Sequence, residues 1–231
     1  MVKQERAART RRSLVLAAAE VFAEEGYAAA SLGTVSGRAG VSTGALHFHF
    51  SSKRALAEAV EATALLGLRR ITGQVAAGPG SSIQKLVDSL HALAEGLSGD
   101  FVVRSGFRLH HEDGSGHQGA LWREWWRWIE RTLRSAQDDG ELAAGVNVHD
   151  AAAAVVAATA GFQVLGGADA WWLSECWVTR FWQMMLPVLV GPDAAPGMRC
   201  SSPAPYRPRT RAAGPAAGEG LADDRRSVTD R

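Results

Sequence analysis

LGTVSGRAGVSTGALHFHFSSK, Leu32 to Lys53, decides how the rest of this 231-residue chain is read. Val35 and Ala39 are four residues apart, the spacing that puts two apolar side chains on one face of a short helix. Gly40-Val41 then turns the chain, and Ser42 stands where a side-chain oxygen accepts a backbone N–H from the first turn of a following helix. In that second helix Leu46 and Phe50 lie one turn apart toward a core, while Thr43, Gly44 and Ala45 make up its first turn. The pattern is a helix-turn-helix, whose second helix brings its first turn to base edges in a DNA major groove. Small residues there let the backbone come close. Ser51-Ser52 caps the next helix, so Lys53 stands beside an amide-rich N-terminus, and a lysine plus free N–H groups suits a phosphate oxygen.

The run from Gly40 to Lys53, GVSTGALHFHFSSK, resembles the DNA-binding domain of TetR-family transcriptional repressors, and the resemblance extends over about residues 9 to 60. It implies that Ser42, Thr43, Gly44 and Ala45 lie at the DNA, with His47, His49 and Lys53 fixing register on the backbone. Where this chain has His47 the family most often has tyrosine, whose hydroxyl contacts a phosphate. An imidazole also donates to phosphate, and more strongly when protonated, so DNA affinity is expected to depend on pH. Gly33 occupies a position that bears a base-contacting side chain in some members, so no such contact is expected there.

Charge is distributed as this reading requires, although the net charge is only +1. Residues 1–54 carry eight Lys/Arg against four Asp/Glu, residues 55–198 ten against sixteen, and residues 199–231 seven against four. A basic front on an acidic body fits a DNA-binding head on a part that avoids DNA. Met1 to Thr10 reads as a basic arm with Lys3, Arg6 and Arg9, continued by Arg11 and Arg12 at the start of the first helix; Arg9 and Arg12 are candidate phosphate contacts. Leu14, Ala18, Val21 and Phe22 form an apolar helical face that Gly26-Tyr27 terminates.

From Ser52 a helical pattern runs to about Val75, with Leu56, Val60, Leu65, Leu68 and Ile71 apolar, until Gly78-Pro79-Gly80 breaks it. Residues 83–97 and 101–109 read as two further helices, and no alternating strand pattern persists, so the chain is expected to be all-α. Three parts are expected: a helix-turn-helix DNA-binding domain at 1–54, a helical ligand-binding and dimerisation domain at 55–190, and a disordered tail at 191–231, rich in Pro, Gly, Ala, Ser and Arg. Arg207, Arg209 and Arg211 belong to that tail and are expected to be solvated. A 46% hydrophobic content supports a real core. No leader segment and no run of about 18 apolar residues is apparent, which leads to the expectation of a soluble, cytoplasmic protein.

The body's most informative segment is Leu121 to Leu133, LWREWWRWIERTL. Trp122, Trp125, Ile129 and Leu133 form one helical stripe, with Trp126 and Trp128 on other flanks, and one face cannot bury all four indoles equally. Large rings on one helix serve as core or as walls for an apolar ligand, with indole N–H as a polar handle. Glu124-Trp125, together with Gly145-Val146-Asn147-Val148-His149-Asp150 and the Ala/Val helix that ends in Gly161 to Gly167, resembles γ-butyrolactone receptors, a subgroup of these repressors in streptomycete-like bacteria. There an equivalent tryptophan lines the signal pocket. The resemblance makes Trp125, Trp122, Thr159, Gln163, Phe107 and Leu90 the candidate ligand-binding residues. The subgroup often has threonine directly before the first glycine; this chain has Ala160 there and Thr159 one residue earlier, so a γ-butyrolactone, butenolide, furan or antibiotic ligand with altered hydrogen bonding is expected.

AAAAVVAATAG, after Asp150, offers small residues on nearly every side, and Trp171 to Leu189 offers large ones, an arrangement expected to pack helix on helix. The family resemblance implies that the last two helices pair with their copies in a homodimer, hence a pseudo-palindromic operator. Cys176 and Cys200 have no metal-ligand spacing, and Cys176 reads as a core residue. His110, His111, Glu112, Asp113 and His117 lack a helical ligand spacing and read as a solvated helix end and loop, with no metal expected. No nucleophile, base and orienting group stand at recognisable positions, so neither catalysis nor a cofactor is expected. The expectation is a ligand-responsive repressor. A multidrug-sensing repressor is the alternative, with Glu124 or Glu130 turned inward to meet aromatic cations; a ligand binder without DNA function is the third.

Overall fold

The computed structural model describes residues 2–112, 119–191 and 195–201. Nine α-helices account for most of them: α1 Val2–Ala29, α2 Leu32–Arg38, α3 Thr43–His49, α4 Lys53–Ala77, α5 Ser82–Gly99, α6 Phe101–Glu112, α7 Ala120–Asp138, α8 Val148–Ala168 and α9 Glu175–Val190. No strand occurs among the described residues. The starts of α2, α3, α4 and α5 coincide with serine oxygens that satisfy otherwise orphaned N–H groups. Ser31, Ser42, Ser52 and Ser81 accept from Thr34, Ala45, Ala55 and Gln84, each bond contributing about 1 kcal/mol. Helix α5 has a second anchor, since Glu141 in the α7–α8 connection accepts the backbone N–H groups of Ser82 and Ile83 at 3.0 and 2.8 Å. The basic arm is a correction to expectation: it is helical from Val2, because α1 runs on unbroken until Gly26 takes φ 81° and kinks it.

Two apolar cores result. The head core joins Leu14, Ala18, Val21 and Phe22 of α1 to Val35, Leu46, Phe50 and the Leu56 and Val60 end of α4. In the body core Ala64, Leu68 and Ile71 of α4 meet α5, Phe107, Trp125, Ile129, Leu133, Val155, Trp182 and Leu186. Helices α4 and α6 therefore serve both. Helix α6 sends Val103 and Phe107 into the body and Leu109 into the head. It also bonds directly to α1, with Ser105 Oγ donating to the Ala19 carbonyl at 2.6 Å and Arg108 to that of Ala23 at 3.2 Å. Gly106 lets α6 lie close against α4: a Cβ there would lie 2.3 Å from that of Ala64.

Small against large does not describe how α8 and α9 meet. Helix α8 packs on α7 and on the 3-10 turn Ala170–Leu173, whereas α9 packs on α5, and the two helices touch through the Phe162 and Phe181 rings at 6.0 Å. Cys176 is exposed rather than in the core, because the buried stripe of α9 is Val178, Trp182, Leu186, Leu189 and Val190. Helix α8 also has the length and apolarity of a membrane span, with mean hydropathy 1.6, although its inner residues Ala151, Ala152, Val155, Thr159 and Gln163 are buried against the body. Small residues give it that value without an unbroken apolar run.

The disordered tail expected from residue 191 does not begin there. Residues 195–201 dock along α5, where Arg199 Nη2 donates to both Asp88 carboxylate oxygens at 3.0 and 3.1 Å and the Arg199 backbone exchanges hydrogen bonds with the Gln84 side chain. His91 Nε2–H donates to the Cys200 carbonyl at 2.7 Å, and Met198 packs against the body core. Residues 202–231, and with them Arg207, Arg209 and Arg211, lie outside the described residues, as do residues 113–118 and the side chains of His110, His111 and Glu112. His91 is buried, and burial pushes its pKa below the ordinary histidine value against the smaller opposing effects of the Cys200 carbonyl, Glu175, Asp88 and Glu95. The unfolded chain therefore takes up the proton first as pH falls through about 6.5, and stability present above that pH is lost below it. Urea unfolding from pH 8 to pH 5 should show this slope, and His91→Gln should flatten it.

Candidate DNA-binding face and ligand core

Local sequence builds the candidate DNA-facing side. Helix α3 is two turns long, capped by Ser42, and held to the head by Leu46 and Phe50, so its outer residues are presented by a fixed base. Thr43, Gly44 and His47 are exposed and Ala45 is half-buried, as an approach to a groove requires. The Thr43 hydroxyl lies 3.3 Å from Ser36 Oγ, which ties α3 to α2. Ser42 serves as the cap, its Oγ accepting the Ala45 N–H at 3.2 Å. Arg9 and Arg12 are exposed on α1, while Arg11 lies over the Phe50 ring at 4.9 Å and joins the first half of α1 to the end of α3. Lys53 is half-buried: its Nζ donates to the Ala28 carbonyl at 3.1 Å and sits 4.6 Å from the centre of the Tyr27 ring. That tether holds the ammonium, which starts from the first residue of α4, against the C-terminal end of α1. His49 is half-buried, its ring edge-on to that of Phe48 at 5.2 Å. Phe48 itself went unnoticed in the sequence, although its place two residues from Leu46 already turns it away from the core.

The candidate ligand residues converge in the body. Trp125 is fully buried, and its Nε1–H donates to Thr159 Oγ1 at 3.1 Å; that hydroxyl in turn donates to the Val155 carbonyl at 2.8 Å. Leu90 and Phe107 are buried in the same core, and Phe107 meets the half-buried Trp122 edge-on at 4.9 Å. Gln163 is buried with its Oε1 lacking a partner among the described residues, and Nε1 of Trp182, on α9, is likewise buried and unpaired among them. An unpaired buried acceptor and donor each cost about 1–3 kcal/mol, which favours a polar ligand atom or water at these positions. An open groove of about 760 Å³ lies elsewhere, between Glu130, Arg134, Gln137 and Asp138 of α7 and Gly145–His149, and none of the expected ligand residues lines it. Neither acidic residue proposed for a cation points free into the core. Glu124 is engaged by Arg69 at 3.1 Å and Arg127 at 3.9 Å, and Glu130 by Arg134 at 2.7 Å. Hydrogen bonding to Arg134 holds the Glu130 carboxyl below the usual range. The Glu124–Arg69 pair links α7, next to Trp125, with α4.

Comparison with known proteins agrees with this geometry. Residues 14–60 match the family described as bacterial regulatory proteins, tetR family. The chain is 34% identical over 198 residues to the A-factor receptor protein of Streptomyces griseus, covering 83% of this chain and 68% of that one. It superposes on full-length TylP, a TetR regulator from Streptomyces fradiae, with a TM-score of 0.65 at 32% identity, covering 84% and 93% of the two chains. A γ-butyrolactone receptor described as ArpA-like superposes with a TM-score of 0.69 at 25% identity, covering 81% and 92%. Helix-turn-helix, two-core architecture and these relatives together establish that the chain belongs to the tetR family of bacterial regulatory proteins and, within it, resembles the γ-butyrolactone receptors.

Proposed function

We propose that the protein is a homodimeric repressor that occupies a pseudo-palindromic operator and is released by a small molecule of γ-butyrolactone, butenolide or furan type. The observation that carries this reading is α6, which places Phe107 beside Trp122 in the ligand core and, on the same two turns, bonds Ser105 and Arg108 to α1 of the head. A ligand that parts Trp125 from Thr159 separates α7 from α8, and a displaced α7 acts on α6 through the Phe107–Trp122 contact and on α4 through Glu124–Arg69. A lactone or furan bearing a carbonyl and a hydroxyl complements the Trp182 donor and the Gln163 acceptor. Dimerisation is supported by the apolar side chains that α8 and α9 leave in water: Val164, Leu165, Met184 at 68% exposed and Val188 at 64%. Two copies of α3 set by a two-fold axis then enter successive major grooves, and a ligand that favours another head spacing by about 2.7 kcal/mol lowers operator affinity 100-fold.

Selection of bound fragments from random DNA, followed by titration of the recovered duplex with A-factor-type γ-butyrolactones and with culture extract, tests the reading. A pseudo-palindrome released by either is the expected result; failure to enrich any sequence would falsify it. On that duplex Lys53→Ala should weaken operator and random DNA alike and lower the salt slope by about 1, whereas Lys53→Arg should keep the slope. Equal affinity and slope for Lys53→Ala would remove Lys53 from the phosphate contacts.

A further inference from the structure

Phe48 is 82% exposed, more than any other large apolar side chain among the described residues. The helix sets its direction. Leu46 and the C-cap residue Phe50 face the head core, so Phe48, two residues from each, points the opposite way. Gly44 lies one turn earlier on the same side and has no side chain, so the ring is the part of this ridge that protrudes. The edge-on His49 ring, with an interplanar angle of 84°, supports it from one side.

We propose that Phe48 reads thymine: with the first turn of α3 seated in the major groove, its ring packs on the C5-methyl group of one thymine in each half-site. The inference rests on the DNA-binding reading above. A phenyl ring has no hydrogen-bonding atom, and among the groups that base pairs present in the major groove the thymine methyl is the apolar one. Cytosine at that position would present an amino group that the ring leaves unpaired, which makes the contact selective as well as attractive. His47 and Lys53, directed to phosphates, supply affinity without that selectivity.

The recovered operator is resynthesised with each thymine in turn replaced by deoxyuridine, which removes the methyl group alone. The wild-type protein should lose roughly four-fold in affinity at one thymine per half-site, the worth of one methyl taken out of water. Phe48→Ala should bind the thymine and deoxyuridine duplexes equally at that position and keep any sensitivity elsewhere. Phe48→Leu should retain part of the discrimination. Because the ring is exposed, all three proteins should unfold alike. Wild-type indifference to deoxyuridine throughout, or a Phe48→Ala profile identical to wild type, overturns the assignment while operator binding stands. A wild-type protein that selects no operator overturns the DNA-binding reading itself.

Discussion

Replacing Trp125 by alanine is expected to cost about 3–5 kcal/mol of folding stability and to abolish release from the operator by small molecule, with operator binding retained wherever the variant is folded. The size of the effect follows from the site. The indole is completely buried, it is among the largest fully buried side chains, and its N–H is bonded to a hydroxyl that is itself buried. Truncation opens a cavity in the body core, whereas the residues that hold the helix-turn-helix together belong to the separate head core. Two gentler variants separate packing from hydrogen bonding. Thr159→Val keeps the volume but leaves the Trp125 N–H buried and unpaired, at about 1–3 kcal/mol. Trp125→Phe keeps an aromatic ring and removes the donor instead. Urea unfolding gives the stability of each, and titration of the operator complex with a γ-butyrolactone gives the response. Were Trp125→Ala to respond to ligand as the wild type does, the ligand would have to bind elsewhere, and the open groove at Glu130 and Arg134 would be the place to look.

How far the site was readable follows from how local each interaction is. Ser42 and Ser52 bond to residues three along the chain, so the helix-turn-helix and its caps are visible in a short window. The Trp125, Ile129 and Leu133 stripe is likewise a matter of spacing on one helix, and all three are fully buried. Thr159 stands 34 residues from Trp125, and nothing near either residue says that they share a hydrogen bond; only the packing of α8 on α7 does. The docked segment at 195–201 is a harder case. Its composition is that of a flexible tail, and the contacts that order it reach back 109 to 115 residues to a polar stripe of α5. Alanine-rich α8 misled for another reason: small side chains fit against any neighbour, so periodicity does not say which helix it will meet. Cys176 lies in an apolar helical run, and only the packing of α9 shows that the buried stripe excludes it.

Gly106→Ala is the second substitution from which a large effect is expected, out of proportion to the single methyl it adds. The new Cβ would come within 2.3 Å of the Ala64 Cβ and 3.3 Å of Leu121. Neither Ala64 nor the helix backbone behind it can swing aside, so α4 and α6 must separate. Overpacking of this kind costs about 1–3 kcal/mol. DNA binding is affected as well, because α6 is bonded to α1 by Ser105 and Arg108 while α4 leads out of the helix-turn-helix at Lys53. Prising them apart shifts the head on the body in the absence of ligand, and operator affinity should fall at least ten-fold, about 1.4 kcal/mol. Gly73→Ala is the control: Gly73 lies exposed in α4 with nothing near its would-be Cβ, and there alanine should stabilise the helix by about 0.5–1 kcal/mol and leave DNA binding alone. The decisive variant is the double exchange. If Gly106→Ala acts through the α4–α6 contact, Ala64→Gly should restore operator affinity in its background, so the two changes combine far from additively. Additive losses would locate the effect of Gly106 in α6 alone and would uncouple this contact from the placement of the head.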